Sequence, residues 1–188
     1  ELASTHYRAG YINWQSAPEL YRPVPLMILA ALWEISPDNP GLYHLVNILL
    51  YSLTGLILFL TFRQIGSRFN VLVPFLATLV FVAHPVHTEV VANIKSMDEI
   101  LGFLFSVLAL KYWWDFIEYS KRKHLIISLS WYVLAMFSKE NAITFLAIFP
   151  LTYWFFSQAF SMRQLSKSAL FLVPAGLYLL VRRGGIGT

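Results

Sequence analysis

LYHLVNILLYSLTGLILFLTF, residues 42–62, contains no aspartate, glutamate, lysine or arginine. A helix rises about 1.5 Å per residue, so a run of this length crosses a hydrocarbon core of roughly 30 Å. The rest of the chain agrees. Of 188 residues, 57% are hydrophobic and 13% are charged, against about a quarter charged in an ordinary soluble domain. The composition predicts an all-α, polytopic membrane helical bundle.

Five further stretches extend that reading: Val71–Ala83, Glu99–Phe116, Leu125–Phe137, Ala142–Phe156 and Ala169–Val181. Several are short for a full span and borrow flanking residues. Together with 42–62 they predict a bundle of about six membrane helices over 42–188, preceded by an outer-face loop over 1–41. Within that loop, Pro23-Val-Pro25 opens an apolar piece to Ile35, a length suited to a helix lying at the interface. Both chain ends, ELASTHYRAGYINW without a signal peptide's basic start and RRGGIGT, read as internal to a longer protein.

Basic residues in short loops set the orientation. Arg63, Arg68, Lys121-Arg122-Lys123, Arg163 and Lys167 fall on one side. The 84–98 loop, Lys139-Glu140 and Arg182-Arg183 fall on the other, joined, if the 24–35 piece does not cross, by residues 1–41 and so by most of the acids, Glu1 and Glu19 among them; if it does cross, the first loops change sides and the later ones still group together. There is no cysteine, hence no disulfide or thiolate metal site, and no basic run interleaved with aromatics of the kind that binds nucleic acid.

The polar groups on the acid-rich side are the candidates for chemistry, because ionisable residues at membrane depth are costly and tend to mark substrate paths. Arg22 precedes a proline-started helix, an arrangement suited to phosphate or equally to a snorkelling interfacial arginine. His84, His87 and Glu89 have spacing compatible with a metal, but Pro85 works against the geometry, and hydrogen-bonded interfacial histidines are preferred. No cofactor or metal is assigned. Ser96-Met-Asp-Glu99 reads as a capping box that leaves Asp98 to spare. Ser138-Lys139-Glu140-Asn141 is a polar tetrapeptide that, alone, would be a simple turn. A cationic ring with one or two carboxylates suits a lipid phosphate held near a general base.

In order, YRPVPL, GLYHLVNILLYSLTGLILFL, HPVHTEVVANIKSMDEILGFLFSVLAL and FSKENAITFLAIFPL resemble the membrane half of the transmembrane and tetratricopeptide-repeat O-mannosyltransferases and their bacterial relatives. More broadly the chain resembles family 39 type-C glycosyltransferases, with Arg22-Pro23, Asp98 and Lys139 at the family's motif positions. The resemblance implies an enzyme that moves a sugar, mannose or another hexose, from a polyprenyl phosphate to a protein Ser or Thr hydroxyl. Its partners are then the lipid-linked donor, the protein acceptor and membrane lipid.

It further implies that Arg22 and Lys139 take the donor phosphate. Asp98, Glu89 and Glu140 serve acceptor positioning or site architecture, and His84 and His87 bond to sugar or network. The catalytic acid is expected upstream, in an outer loop this sequence does not include. The implied face is periplasmic or lumenal, with a bacterial inner membrane favoured over endoplasmic reticulum. A non-catalytic scaffold subunit is the alternative; a lipid-phosphate transporter fits less well, since Lys111 is the main charge inside an apolar segment.

Overall fold

The computed structural model describes residues 21–157 and 160–184, with the side chains of 183 and 184 left out. The expected outer loop up to residue 20, with Glu1 and Glu19, lies outside the described residues, as do the Arg183 side chain and the chain after Gly184. The described residues form helices and no strands: α1 (Pro23–Ile35), α2 (Pro40–Ile65), α3 (Leu72–Ala83), α4 (Val86–Ala92), α5 (Met97–Tyr119), α6 (Arg122–Ser138), α7 (Phe145–Phe156), α8 (Met162–Ser166) and α9 (Leu172–Gly184). Short 3-10 turns at Ile94–Ser96, Glu140–Thr144 and Lys167–Phe171 join α4 to α5, α6 to α7 and α8 to α9.

Local chemistry explains the boundaries. Proline opens α1 and α2, where its missing N–H costs nothing. Ser120 ends α5 at a left-handed φ of 52°, with its N–H on the Phe116 carbonyl, and turns the chain back into α6. Hydroxyls inside apolar helices bond to the carbonyl one turn back, as Thr54, Thr61, Thr78 and Ser106 do. In lipid that bond spares the hydroxyl an unsatisfied burial.

Among the described residues three helical stretches are long and apolar enough to cross a membrane: Pro40–Ile65, Ile94–Tyr119 and Met162–Arg182. A fourth crossing exists if α3 and α4, bent by 64° at His84-Pro85, count as one broken span. Helices α6 and α7, with 17 and 12 residues, are shorter than these. Helix α5 is the central column: 67% of its apolar window is buried, against 22% for α2 and for the last span. It packs chiefly against α6, and Ser128 donates to the Ala109 carbonyl at 2.6 Å between them.

Around this pair sits an aromatic core. Phe149 stacks on Phe171 at 3.8 Å between centroids, and Trp113 and Tyr132 meet Phe171 edge-on at 5.5 and 5.4 Å. Outward-facing leucines and valines on α2, α3 and α9 stay exposed, Leu49, Leu72, Val80 and Leu180 among them, as a surface meant for lipid would leave them. The antiparallel run of α5 and α6 brings the start of one and the end of the other to the same end of the bundle, where α1 packs across both.

Candidate functional site

That end carries a charge cluster. Asp98 is the second residue of α5, with Glu99 beside it, so both acids sit where a helix's free N–H groups favour negative charge. Lys139 follows the last residue of α6, where a cation is favoured, and its N–H bonds the Ala135 carbonyl. Glu140 opens the next 3-10 turn, and Arg22 stands one residue before α1.

Arg22 grips Glu140 through two parallel bonds, Nε to Oε2 at 3.0 Å and Nη2 to Oε1 at 2.6 Å, the bidentate fork a guanidinium is shaped for. Its Nη1 pairs with Asp98 Oδ2. Lys139 Nζ pairs with Glu99 and lies 3.7 Å from Asp98 Oδ1. Asp98 Oδ1 also accepts from the Glu99 N–H at 2.7 Å.

The side chains of Arg22 and Asp98 are 9% and 4% exposed, while that of Glu99 is 40% exposed. Burial disfavours the Arg22 charge, but Glu140 and Asp98 outweigh it and hold the guanidinium above its ordinary pKa. Burial likewise pushes Glu140 up, yet the bonds from Arg22 and the nearby Lys139 charge carry it below the usual carboxylate value.

Arg22, Asp98, Lys139 and Glu140, named from the sequence, are therefore in contact, and Glu99 joins them. The cluster holds two cations and three carboxylates. The capping box is not formed: Ser96 makes no side-chain cap bond, and Glu99 reaches to Lys139 instead of back along its own helix. The cap used here is Asn93, whose side chain accepts from the Lys95 N–H at the start of the 3-10 turn.

Elsewhere, His87 lies on the ring of Phe81 at 4.4 Å and near Tyr51 at 5.7 Å. His84 accepts the Val86 N–H on Nδ1, and Glu89 is exposed on α4. Among the described residues no group of three or more His, Asp or Glu could hold a metal ion, so His84, His87 and Glu89 are not gathered as a triad.

Beside Lys139 opens a cavity of about 260 Å³, with Glu99, Lys139, Ser106 and Thr144 among its walls and Phe103, Phe145 and Ile148 providing apolar surface. Gly102 forms part of that wall for a steric reason. A Cβ there would lie 2.9 Å from Lys139 Cβ and 3.6 Å from its backbone nitrogen, so the close approach of α5 to the end of α6 requires glycine. Sequence reasoning passed over this residue. A glycine inside an apolar helix is the signal that marks such crossings in membranes.

No family model matches the chain, and no solved structure matches it. Curated relatives do. Protein O-mannosyl-transferase TMTC2 of Homo sapiens is 33% identical over 139 residues, 68% of this chain and 16% of its own. Protein O-mannosyl-transferase TMTC1 of Mus musculus is 29% identical over 166 residues, 80% of this chain and 17% of its own. Protein O-mannosyl-transferase F38B6.6 of Caenorhabditis elegans is 32% identical over 111 residues, 58% of this chain and 16% of its own. The chain thus spans 16 to 17% of the length of these relatives. Matched over 58 to 80% of its residues and folded as an all-helical bundle with membrane-spanning helices, the chain belongs to the membrane region of the TMTC family.

Proposed function

We propose that this chain supplies the donor-phosphate end of a membrane glycosyltransferase that moves mannose or another hexose from a polyprenyl phosphate to a protein Ser or Thr hydroxyl. The relatives' names as protein O-mannosyl-transferases support the reaction class. The observation that carries the site is the meeting of Lys139 and Arg22 at one bundle end, beside a cavity with an apolar wall.

In this reading the acceptor oxygen attacks the anomeric carbon as the bond from that carbon to the phosphate oxygen breaks, with inversion. The hydroxyl proton goes to a carboxylate upstream of this chain, and the departing phosphate is stabilised by Lys139, with Arg22 behind it. Preorganisation is the contribution of the acids: Asp98 and Glu140 hold the two cations in place before the donor arrives. Both cations are already paired with carboxylates, so an incoming phosphate competes with an acid for them. Glu99, the most exposed of the acids, is the one free to swing away. The gathering of the positively charged loops at the other end supports a periplasmic or lumenal face for the reaction.

The test is transfer of labelled mannose from polyprenyl phosphate by the full-length protein in liposomes. Lys139→Ala should abolish transfer in a folded protein, and Glu99→Gln should lower the donor KM by removing the competitor. Unchanged transfer by folded Lys139→Ala would sink the assignment. The closure of both cations onto acids also favours a second reading, a non-catalytic membrane subunit in which the cluster does nothing but hold the helices together. Failure of the wild type to transfer any of several hexoses to any of several acceptors would favour it.

A further inference from the structure

The opposite end of the bundle holds a larger concavity, of about 520 Å³, between the C-terminal ends of α2, α5 and α7. Its walls carry charges of both signs. Arg68 lies over the rings of Phe69, Phe156 and Phe155, at 4.9, 5.8 and 6.0 Å from their centroids, which holds the guanidinium by cation–π attraction. Glu118, on another wall, is steadied by Gln64, whose amide donates to it at 3.3 Å and to Asp115 at 2.6 Å.

Arg68 and Glu118 line one cavity, yet among the described residues neither forms an ion pair with the other or with a third group. Asp115 is different, being closed onto Lys111. The remaining charge on the nearby wall of α2, Arg63, is exposed.

We propose that this end binds the zwitterionic headgroup of an aminophospholipid, with the phosphate on Arg68 and the ammonium on Glu118. A ligand of one sign would meet one matched wall and one that repels it; a phosphoethanolamine group satisfies both. Location argues for a lipid. The 26 residues of α2 reach roughly 39 Å, longer than the hydrocarbon core, so their ends stand in the headgroup layer. Trp114, Tyr119 and Phe156 line the concavity, as aromatic residues do at membrane boundaries. Ile65 and Ile117 extend its apolar surface for the acyl chains.

Both proposed contacts are exposed side chains remote from the Arg22 cluster, so their variants should fold. The experiment is native mass spectrometry of lipid retained by the full-length protein from nanodiscs of phosphatidylcholine doped equally with phosphatidylethanolamine and phosphatidylglycerol. The wild type should retain phosphatidylethanolamine over both others by about tenfold, the size of one charge-assisted hydrogen bond. Glu118→Gln should erase the preference over phosphatidylglycerol, Arg68→Ala should lower retention of both, and Arg68→Lys should recover part of it. Equal retention of the three lipids by the wild type, or an undiminished preference in Glu118→Gln, would overturn the proposal.

Discussion

At one end of the bundle Arg22 closes on Asp98 and Glu140 across 76 and 118 residues of sequence. At the other, Lys111 and Asp115 pair one turn apart on α5, and Arg68 rests on phenylalanine rings. The residue types are alike, but the depth differs: Arg22 and Asp98 are nearly sealed, whereas Arg68 and Glu118 are exposed. A sealed ion pair must be complete, since removing one partner strands a charge away from water. Exposed pairs can be left open at little cost, and so can receive a ligand. The first end is thus a clasp that joins α1, α5 and the α6–α7 turn, and the second is a rim.

The largest effect that tests this contrast is Arg22→Ala. It leaves the buried Asp98 with only the 3.7 Å approach of Lys139 and the Glu99 N–H, takes both bonds from Glu140, and should destabilise the protein by about 3 kcal/mol, read as a loss of thermal stability in detergent. Lys139→Ala should cost less, because Asp98 keeps Arg22. If Arg22→Ala were as stable as wild type, the clasp would be no different from a surface pair.

Gly102→Ala comes next. Because the clash is with Lys139 Cβ, which is fixed to the backbone, rather than with a flexible tip, α5 and the end of α6 must move apart, at about 1–3 kcal/mol. Gly176→Ala in α9 is the matched control, since nothing lies within 4 Å of the added Cβ. It should be neutral or stabilising by up to about 1 kcal/mol. Equal costs at the two glycines would show that the approach of Lys139 to α5 is not tight.

Glu140 gives the same contrast a pH dependence. Its folded pKa is depressed, so the stability it contributes is present above the ordinary glutamate value and is lost as pH falls through the folded value; Arg22, held charged, does not titrate in that range. The wild type should therefore lose stability progressively below roughly pH 4 to 5, and Glu140→Gln should flatten that part of the curve. An unchanged acid limb in Glu140→Gln would assign the loss to other groups.

How much of this the sequence revealed follows the same divide. Apolar runs such as 42–62 announce helices because lipid demands them, although the run says nothing of α2 continuing to Ile65. Arg22, Asp98, Lys139 and Glu140 could be grouped because each sits at a helix end and loop charge sorts helix ends by side. Glu99 was misread for a physical reason: a local cap and a distant lysine compete for one carboxylate, and Lys139 comes from 40 residues away. Gly102 shows the other blind spot, since its meaning lies in which backbone crosses it. His84 and His87 have metal-like spacing, but the bend at Pro85 and the rings of Phe81 and Tyr51 settle their surroundings, and only folding brings Tyr51 there.

The smallest expected effect is at Lys111. Its 3.3 Å bond to Asp115 has the lysine N-terminal to the acid, the weaker order for a pair on one helix turn, and its side chain is 26% exposed. Asp115 would not be stranded by Lys111→Ala, because Gln64 still donates to it at 2.6 Å. The cost should be about 0.5 kcal/mol or less, and smaller still at high salt. Removing Gln64 as well should cost more than the two single changes added, because only then does the mostly buried acid lose both partners. If Lys111→Ala alone cost as much as Arg22→Ala, the distinction between a sealed clasp and an open rim would fail, and depth would not be what separates the two ends.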